Sequence, residues 1–142
     1  MAVGVLALAG AAIAAYLSYT HISDVSIICP TSGCATVQRS SYAELGPIPN
    51  AYLGVLGYVA ILATAVSARP LAVRAGAVLA LAAAGFAMYL LIVQLFVIDA
   101  VCIWCAASDG VALMLATAAG LRLRQWQDRC DGRPRRTEVE MR

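Results

Sequence analysis

Two pairs of closely spaced cysteines are the most reactive groups in this sequence. Cys102 and Cys105 form a C-x-x-C motif at the start of an apolar run of about membrane length, and Cys29 and Cys34 lie in the one long polar loop. Paired thiols of this kind exchange electrons by thiol–disulfide exchange. Because four of the five cysteines form two dithiols joined through an apolar domain, we predict electron transfer from one pair to the other.

The composition of the chain predicts a membrane protein. Of its 142 residues, 62% are apolar and 13% are charged, whereas about 25% are charged in a typical soluble domain. A membrane span needs about 20 apolar residues. The predicted fold is an all-α integral membrane four-helix bundle within residues 1–121, with spans at about 1–20, 50–68, 75–98 and 100–121.

The first apolar run could instead be a signal peptide. It lacks a positively charged segment at its start, and it is longer than the usual apolar core of a signal peptide. We therefore interpret it as a retained helix.

The arginines predict the orientation. Cytoplasmic flanks collect Lys and Arg, and nine of the ten Arg residues lie between spans two and three or after span four. Both termini are then cytoplasmic, and the outer loop, residues 21–49, carries its cysteines in the same oxidising compartment as the C-x-x-C. The basic tail, residues 122–142, is predicted to be disordered and close to anionic lipid headgroups. Its Cys130 is expected to be a bystander.

The outer loop is predicted to bring its two cysteines together. Pro30 and Gly33 favour a turn, so Cys29 and Cys34 can approach to disulfide distance. A short helix over 36–45 would cap the mouth of the bundle. Taken alone, this pair is typical of a structural disulfide, but beside a membrane-edge C-x-x-C a redox pair is favoured.

The reactive groups of span four are predicted to lie at different depths in the membrane. Asp99 is the expected N-cap, which would place Cys102 among the unpaired amides of the first turn, where a thiolate is favoured. Cys102, Cys105 and Asp109 stand at i, i+3 and i+7 on one helical stripe. This order predicts that Cys102 exchanges with another disulfide while Cys105 meets a substrate dissolved in the bilayer.

Three other polar or aromatic residues near this stripe have more than one interpretation. A carboxylate within a span usually faces the bundle interior, so Asp109 is either a proton donor or polar contact to a substrate carbonyl, or a neutral or paired side chain. Gln94 favours a hydrogen bond between helices. Trp104 points away from the stripe and is as much an interfacial anchor as a catalytic group.

Three other classes of protein remain open at this point. Four cysteines at C-x4-C and C-x2-C spacing fit tetrahedral zinc, although His21 is the only histidine and the compartment is oxidising. A structural or binding membrane protein would use both pairs as stapling disulfides. A small transporter would place more polar groups along its spans. No nucleotide-binding or phosphate-binding motif is present, and no nucleic acid partner is expected.

The order of the motifs carries a family resemblance. A loop cysteine pair is followed six residues later by Ser40, then by Gly-Pro-Ile-Pro-Asn at the start of span two, and a C-x-x-C opens the last span. This order resembles the vitamin K epoxide reductase family in its bacterial form. The resemblance covers about Tyr16 to Asp109.

The resemblance implies a role for each cysteine of the two pairs. Cys105 matches the cysteine that reacts with quinone, and Cys102 matches the one that resolves it and exchanges with the loop. Cys34 matches the loop cysteine that bridges transiently to Cys102. Cys29 matches the one that meets the external partner.

The resemblance also implies quinone contacts and a partner. Ser40 matches the loop serine of the family, and Asn50 matches the asparagine that hydrogen-bonds a quinone carbonyl. Asp109 stands where the animal enzymes have a tyrosine that contacts the second carbonyl. The implied enzyme is a disulfide-forming oxidoreductase of the bacterial inner membrane with a menaquinone or ubiquinone acceptor and no metal. Its periplasmic thioredoxin-like (DsbA-like) partner is expected to be a separate polypeptide, because the chain ends shortly after span four.

Overall fold

Four helices pack together, and a small cap lies at one end of them. The computed structural model describes residues 1–23, 28–29 and 33–131. In chain order its elements are α1 (Ala2–Ile22), α2 (Gly33–Gln38), a 3₁₀ turn (Ser41–Ala43), β1 (Glu44–Leu45), β2 (Ile48–Pro49), α3 (Asn50–Ala65), α4 (Pro70–Phe96) and α5 (Ile103–Cys130). The all-helical membrane fold predicted from the sequence is confirmed.

Three of the four packed helices are long enough to cross a membrane. Helices α1, α4 and α5 contain 21, 27 and 28 residues and are sufficiently apolar. Helix α3 contains 16 residues, slightly fewer than the roughly 17 to 25 that a span requires. The count of four spans therefore stays a prediction.

Glycines allow the helices to approach one another closely. A side chain at Gly10 of α1 would collide with the ring of Tyr58 in α3, and one at Gly76 of α4 would collide with Thr64 in α3. Small residues at such contacts are typical of helix packing in membranes, where close van der Waals contact drives association. Helix α3 is therefore held between α1 and α4.

The cap, residues 33–49, differs from the helix that was predicted over 36–45. Helix α2 begins earlier, at Gly33, and ends at Gln38. The chain then forms a two-residue hairpin in which Glu44 pairs with Pro49, and the turn uses Gly46 at φ +67°. A positive φ suits glycine, which has no Cβ, so Gly46 allows the tight turn between β1 and β2. The predicted turn at Pro30 lies outside the described residues.

The start of α5 also differs from the prediction. Asp99 is not the N-cap: it has a φ of +52°, a left-handed conformation that Asp tolerates. The N–H of Ala100 bonds back to the carbonyl oxygen of Gln94 at 3.1 Å, which completes the turn after α4. The chain is then extended up to Cys102, the true N-cap. Cys102 therefore lies before the helix and not at its third position.

Helix α5 continues to Cys130, beyond the predicted end of the span at residue 121. The prediction of a disordered tail starting at 122 is wrong for residues 122–130, because Arg, Leu and Gln are good helix formers and this part of the helix has tertiary contacts. Arg122 donates to the carbonyl oxygens of Thr64 and Ser67 at 3.2 and 2.7 Å. The Arg74 guanidinium carbon lies 5.9 Å from the centre of the Trp126 ring. Residues 132–142 of the predicted tail lie outside the described residues.

Candidate active site

The two cysteine pairs meet in one buried cluster beneath the cap. Cys34 and Cys102 are 1% and 0% exposed, and they pack together with Val37. Cys29 and Cys105 pack against the same cluster. Cys29 and Cys34 form a disulfide with their Cα atoms 6.4 Å apart, whereas Cys102 and Cys105 are thiols. The structure thus places an oxidised pair against a reduced pair.

Cys102 and Cys105 form the inner pair, and their contacts follow from their position at the start of α5. Cys102 caps the helix, and its Sγ accepts the backbone N–H of Cys105 at 3.4 Å. The Cys105 thiol also donates to Cys102, and this hydrogen bond, opposed by burial, lowers the pKa of Cys102 to about 7. A lowered pKa makes Cys102 a good thiolate leaving group in exchange with the loop.

A backbone contact fixes the loop against the inner pair. Gly33 starts α2 and lies against Val101, the residue before Cys102; a side chain at position 33 would collide with the Val101 carbonyl oxygen. The close approach therefore requires glycine. As a result, the residues immediately before Cys34 and before Cys102 are in contact.

A cavity of about 440 Å³ opens beside the inner pair. Its wall is mostly apolar and comes from α1, the cap, α3, α4 and α5. Ser40, Asn50 and Cys105, three of the predicted site residues, lie on this wall. Cys102 and Asp109 do not. The size and apolar lining are typical of small-molecule sites, and Cys105 is the cysteine that a molecule in this cavity would meet.

Asn50 gives the cavity a polar group suited to a quinone. Its Nδ2 donates to the Tyr42 carbonyl oxygen at 2.7 Å, while its Oδ1 is buried and has no hydrogen-bond partner among the described residues. The unsatisfied Oδ1 can accept from a hydroquinone hydroxyl, and the second Nδ2 hydrogen can donate to a quinone carbonyl. The hydroxyl of Ser40 instead donates to Val37 O at 2.7 Å.

Gln94 links the inner pair to Asp109. Its Oε1 accepts the backbone N–H of Cys102 at 3.0 Å, and its Nε2 lies 3.5 Å from Asp109 Oδ2. Gln94 and Asp109 are 3% and 6% exposed. The predicted hydrogen bond between helices is therefore present, but its contact with the C-x-x-C backbone was not predicted, because a turn between two spans hides it in the sequence.

Two further wall residues were missed from the sequence. Tyr58 donates to the Ser108 carbonyl oxygen at 2.7 Å and joins α3 to α5 across the cavity. His21 Nε2 lies 3.4 Å from Glu44 Oε1 and joins α1 to the hairpin. The signal for His21 was its status as the only histidine, close to the outer end of span one; Tyr58 carried none, since tyrosines are common in spans.

Trp104 lies on the loop side of the inner pair. Its ring packs 5.2 Å from the ring of Tyr16, and its Nε1 donates to the Ile28 carbonyl oxygen at 3.0 Å. One of the two residues between Cys102 and Cys105 thus contacts the segment that contains Cys29.

The zinc alternative finds no support in the part of the chain that the structure describes. There, no three His, Cys, Asp or Glu side chains are grouped so that they could hold a metal ion.

The comparison with known families decides between the remaining classes. A sequence model of the Vitamin K epoxide reductase family matches residues 1–119. The chain belongs to the vitamin K epoxide reductase family. The match covers both cysteine pairs, the cap and the cavity wall, and it confirms the resemblance drawn from the motifs. Family membership makes this protein a membrane thiol oxidoreductase of a family that works with quinone.

Proposed function

We propose that this vitamin K epoxide reductase homologue oxidises a separate thioredoxin-like protein through Cys29 and Cys34 and passes the electrons through Cys102 and Cys105 to a quinone. The observation that carries the proposal is the burial of Cys34 against Cys102 while Cys105 lies on the cavity wall. One cysteine of the inner pair therefore faces the loop, and the other faces the cavity. The net reaction converts a partner dithiol and a quinone into a partner disulfide and a hydroquinone.

The first half of the reaction transfers two electrons twice, first from the partner dithiol to the loop pair and then from the loop pair to the inner pair, and each transfer takes two thiol–disulfide exchanges. The partner dithiol reduces the disulfide of Cys29 and Cys34 through a mixed disulfide, and the partner leaves oxidised. The Cys34 thiolate then attacks Cys102 in the oxidised inner pair and releases the Cys105 thiol. Finally, reduced Cys29 attacks Cys34, restores the loop disulfide and releases Cys102. The two electrons from the partner now rest on the inner pair as its two thiols.

The second half takes place at the cavity. A bound quinone supplies an acceptor for two electrons and two protons. Cys105 delivers the electrons from the cavity wall, and Cys102 then closes the inner disulfide. Asn50 orients the substrate ring through its unsatisfied Oδ1 and its second Nδ2 hydrogen. The mostly apolar wall suits the apolar ring of a quinone. Menaquinone and ubiquinone both fit this chemistry.

The proposed location is the bacterial inner membrane, with the cysteines facing the periplasm or cell exterior. The cysteines and the arginines lie at opposite ends of the bundle, which supports this location. The cysteine cluster lies at the first residues of α5, near Ile103, whereas Arg122, Arg124 and Arg129 lie near its last residue, Cys130. Arg69 and Arg74 lie at the start of α4. Cytoplasmic arginines would contact anionic lipid headgroups. In this orientation Cys29, the half-buried cysteine of the loop disulfide, lies on the same side of the membrane as a periplasmic partner.

The test is quinone reduction by the purified protein. A reduced thioredoxin-like protein and a short-chain quinone are mixed with it, and the quinone absorbance is followed. Cys105→Ala is expected to abolish the reaction while the protein stays in the membrane fraction, and the matched variant Cys130→Ala is expected to be silent because Cys130 is exposed far from the cluster. Undiminished turnover by Cys105→Ala would reject the assigned electron path.

A further inference from the structure

The residue before Cys29 is held from both sides by aromatic residues. The N–H of Ile28 donates to the Tyr16 hydroxyl at 3.4 Å, and the Ile28 carbonyl oxygen accepts from Trp104 Nε1 at 3.0 Å. The two rings pack against each other, with their centres 5.2 Å apart. The side chain of Ile28 is 82% exposed, so it is the backbone of this residue, and not its side chain, that is bound.

We propose that Tyr16 and Trp104 clamp the backbone at Ile28 so that Cys29 stays beside Cys34 when the loop disulfide is open, which makes Trp104 a positioning residue for transfer between the two cysteine pairs. This inference rests on the proposed electron path and adds a role to it. Trp104 stands inside the C-x-x-C and thus couples the inner motif directly to the loop pair.

The reaction needs such a clamp at one particular step. When Cys34 is bonded to Cys102, no covalent bond joins Cys29 to Cys34. Cys29 must then attack the Cys34 sulfur, so that the bond from Cys34 to Cys102 breaks, the bond from Cys29 to Cys34 forms, and Cys102 leaves as a thiolate. This exchange is internally balanced and requires no further oxidant or reductant.

The clamp involves no cysteine side chain, so opening the loop disulfide leaves its hydrogen-bonding groups available, and binding of Ile28 by these groups returns Cys29 to its place beside Cys34. A second attachment of the loop, Gly33 against Val101, holds Cys34 near Cys102, and this contact favours the mixed disulfide. The bond to Ile28 lies on the other side of Cys29. It raises the effective concentration of the Cys29 thiolate at Cys34, which favours resolution.

The first test measures, without quinone or partner, whether Cys34 pairs preferentially with Cys29 or with Cys102. In a Cys105→Ser, Cys130→Ser background, Cys34 can pair with Cys29 or with Cys102, and a glutathione buffer brings the two disulfides to equilibrium. Trp104→Phe keeps an aromatic ring against Tyr16 but removes the donor. We expect it to raise the ratio of the Cys34–Cys102 form to the Cys29–Cys34 form by about three- to tenfold, the size of one lost hydrogen bond. Peptide mass spectrometry after alkylation measures this ratio.

Trp126→Phe is the matched control, because Trp126 is the other tryptophan of the chain and lies at the far end of α5. It should leave the ratio unchanged. An unchanged ratio in Trp104→Phe, or an equal change in both variants, would overturn the clamp. Neither result depends on quinone reduction.

The second test distinguishes an effect of Trp104 on the loop pair from an effect on quinone reduction at the cavity. With the full cysteine set and a thioredoxin-like reductant, Trp104→Phe should slow quinone reduction by a similar factor. In a Cys29→Ser, Cys34→Ser background driven by dithiothreitol, which reduces the inner pair directly, it should have no effect. A slowing of equal size in both assays would place Trp104 at the inner pair alone and overturn the proposal. Loss of all turnover in the unsubstituted protein would instead reject the proposed function, while the disulfide ratio would still test the clamp.

Discussion

The backbone N–H of Cys102 donates to Gln94 Oε1 at 3.0 Å. This hydrogen bond joins the last turns of α4 to the N-cap of α5 and fixes the position from which Cys102 meets the loop. The same side chain reaches Asp109 with its Nε2. A single amide in an apolar helix thus satisfies polar groups on both sides of the reactive turn.

Replacing Gln94 with Leu should destabilise the protein and slow quinone reduction. The substitution leaves the buried N–H of Cys102 without its acceptor, which costs about 1–3 kcal/mol, and it frees the turn that carries Cys102. Denaturant unfolding in detergent measures the first effect and the quinone assay the second. The control is Leu95→Ala at an exposed neighbouring position. Equal stability of the two variants would show that Gln94 does not hold the turn.

Replacing Asp109 with Asn tests the role of its charge. Asn keeps an oxygen that can accept from Gln94 Nε2 but cannot donate a carboxyl proton. Since Asp109 does not lie on the cavity wall, we expect the quinone KM and the pH profile of turnover to be unchanged. A loss of kcat with a shifted pH profile would identify Asp109 as a proton donor, and a raised KM would identify it as a quinone contact.

Replacing Asn50 with Leu should weaken quinone binding. The unsatisfied Oδ1 is the buried polar atom that a hydroquinone would satisfy, so its loss should raise the quinone KM by about tenfold. Exchange between the partner and the loop disulfide should be unaffected, since Cys29 does not line the cavity. Tyr52→Phe, in the first turn of the same helix but off the wall, is the control. An unaltered KM in Asn50→Leu would remove this residue from the quinone site.

The ionisation of Cys102 should depend on Cys105. The hydrogen bond from the Cys105 thiol lowers the pKa of Cys102 to about 7, so the thiolate forms as the pH rises through 7 and is lost below it. In a background with Ser at positions 29, 34 and 130, the ultraviolet absorbance of the thiolate should rise with a midpoint near this pH. Adding Cys105→Ala should move the midpoint up, towards the ordinary thiol value of about 8.5. A midpoint that stays near 7 would show that the helix terminus, and not the Cys105 thiol, lowers the pKa of Cys102.

Replacing Gly10 with Ala should disturb the contact between α1 and α3. The added methyl group would collide with the ring of Tyr58, and overpacking of this kind costs about 1–3 kcal/mol. Gly85→Ala is the matched control, because it lies in α4 with no atom near its added methyl group. Unfolding in detergent should separate the two variants. Equal stability of the two variants would show that the contact between Gly10 and Tyr58 has room for a methyl group.

Sequence patterns were sufficient to predict the class of fold, the family and the two cysteine pairs. Apolar runs of span length can bury their backbone polar groups only as helices in a bilayer, so composition and spacing were sufficient for the helical membrane fold. The order of the loop pair, Ser40, Asn50 and the C-x-x-C was sufficient for the family. These features are local in the chain, and local patterns can be read without coordinates.

The contacts between the two cysteine pairs could not be predicted from the sequence and became visible in the folded structure. The left-handed Asp99 moved the start of α5 to Cys102 as its N-cap, and hydrogen bonds across many residues of chain brought Gln94 to Cys102 and Trp104 to Ile28. The free energy of each contact depends on the burial and geometry of groups that are distant in sequence, and the pattern of one segment does not contain that information. The sequence predicted which cysteines react, and the packing of the loop on the start of α5 decided what holds them in reach of one another.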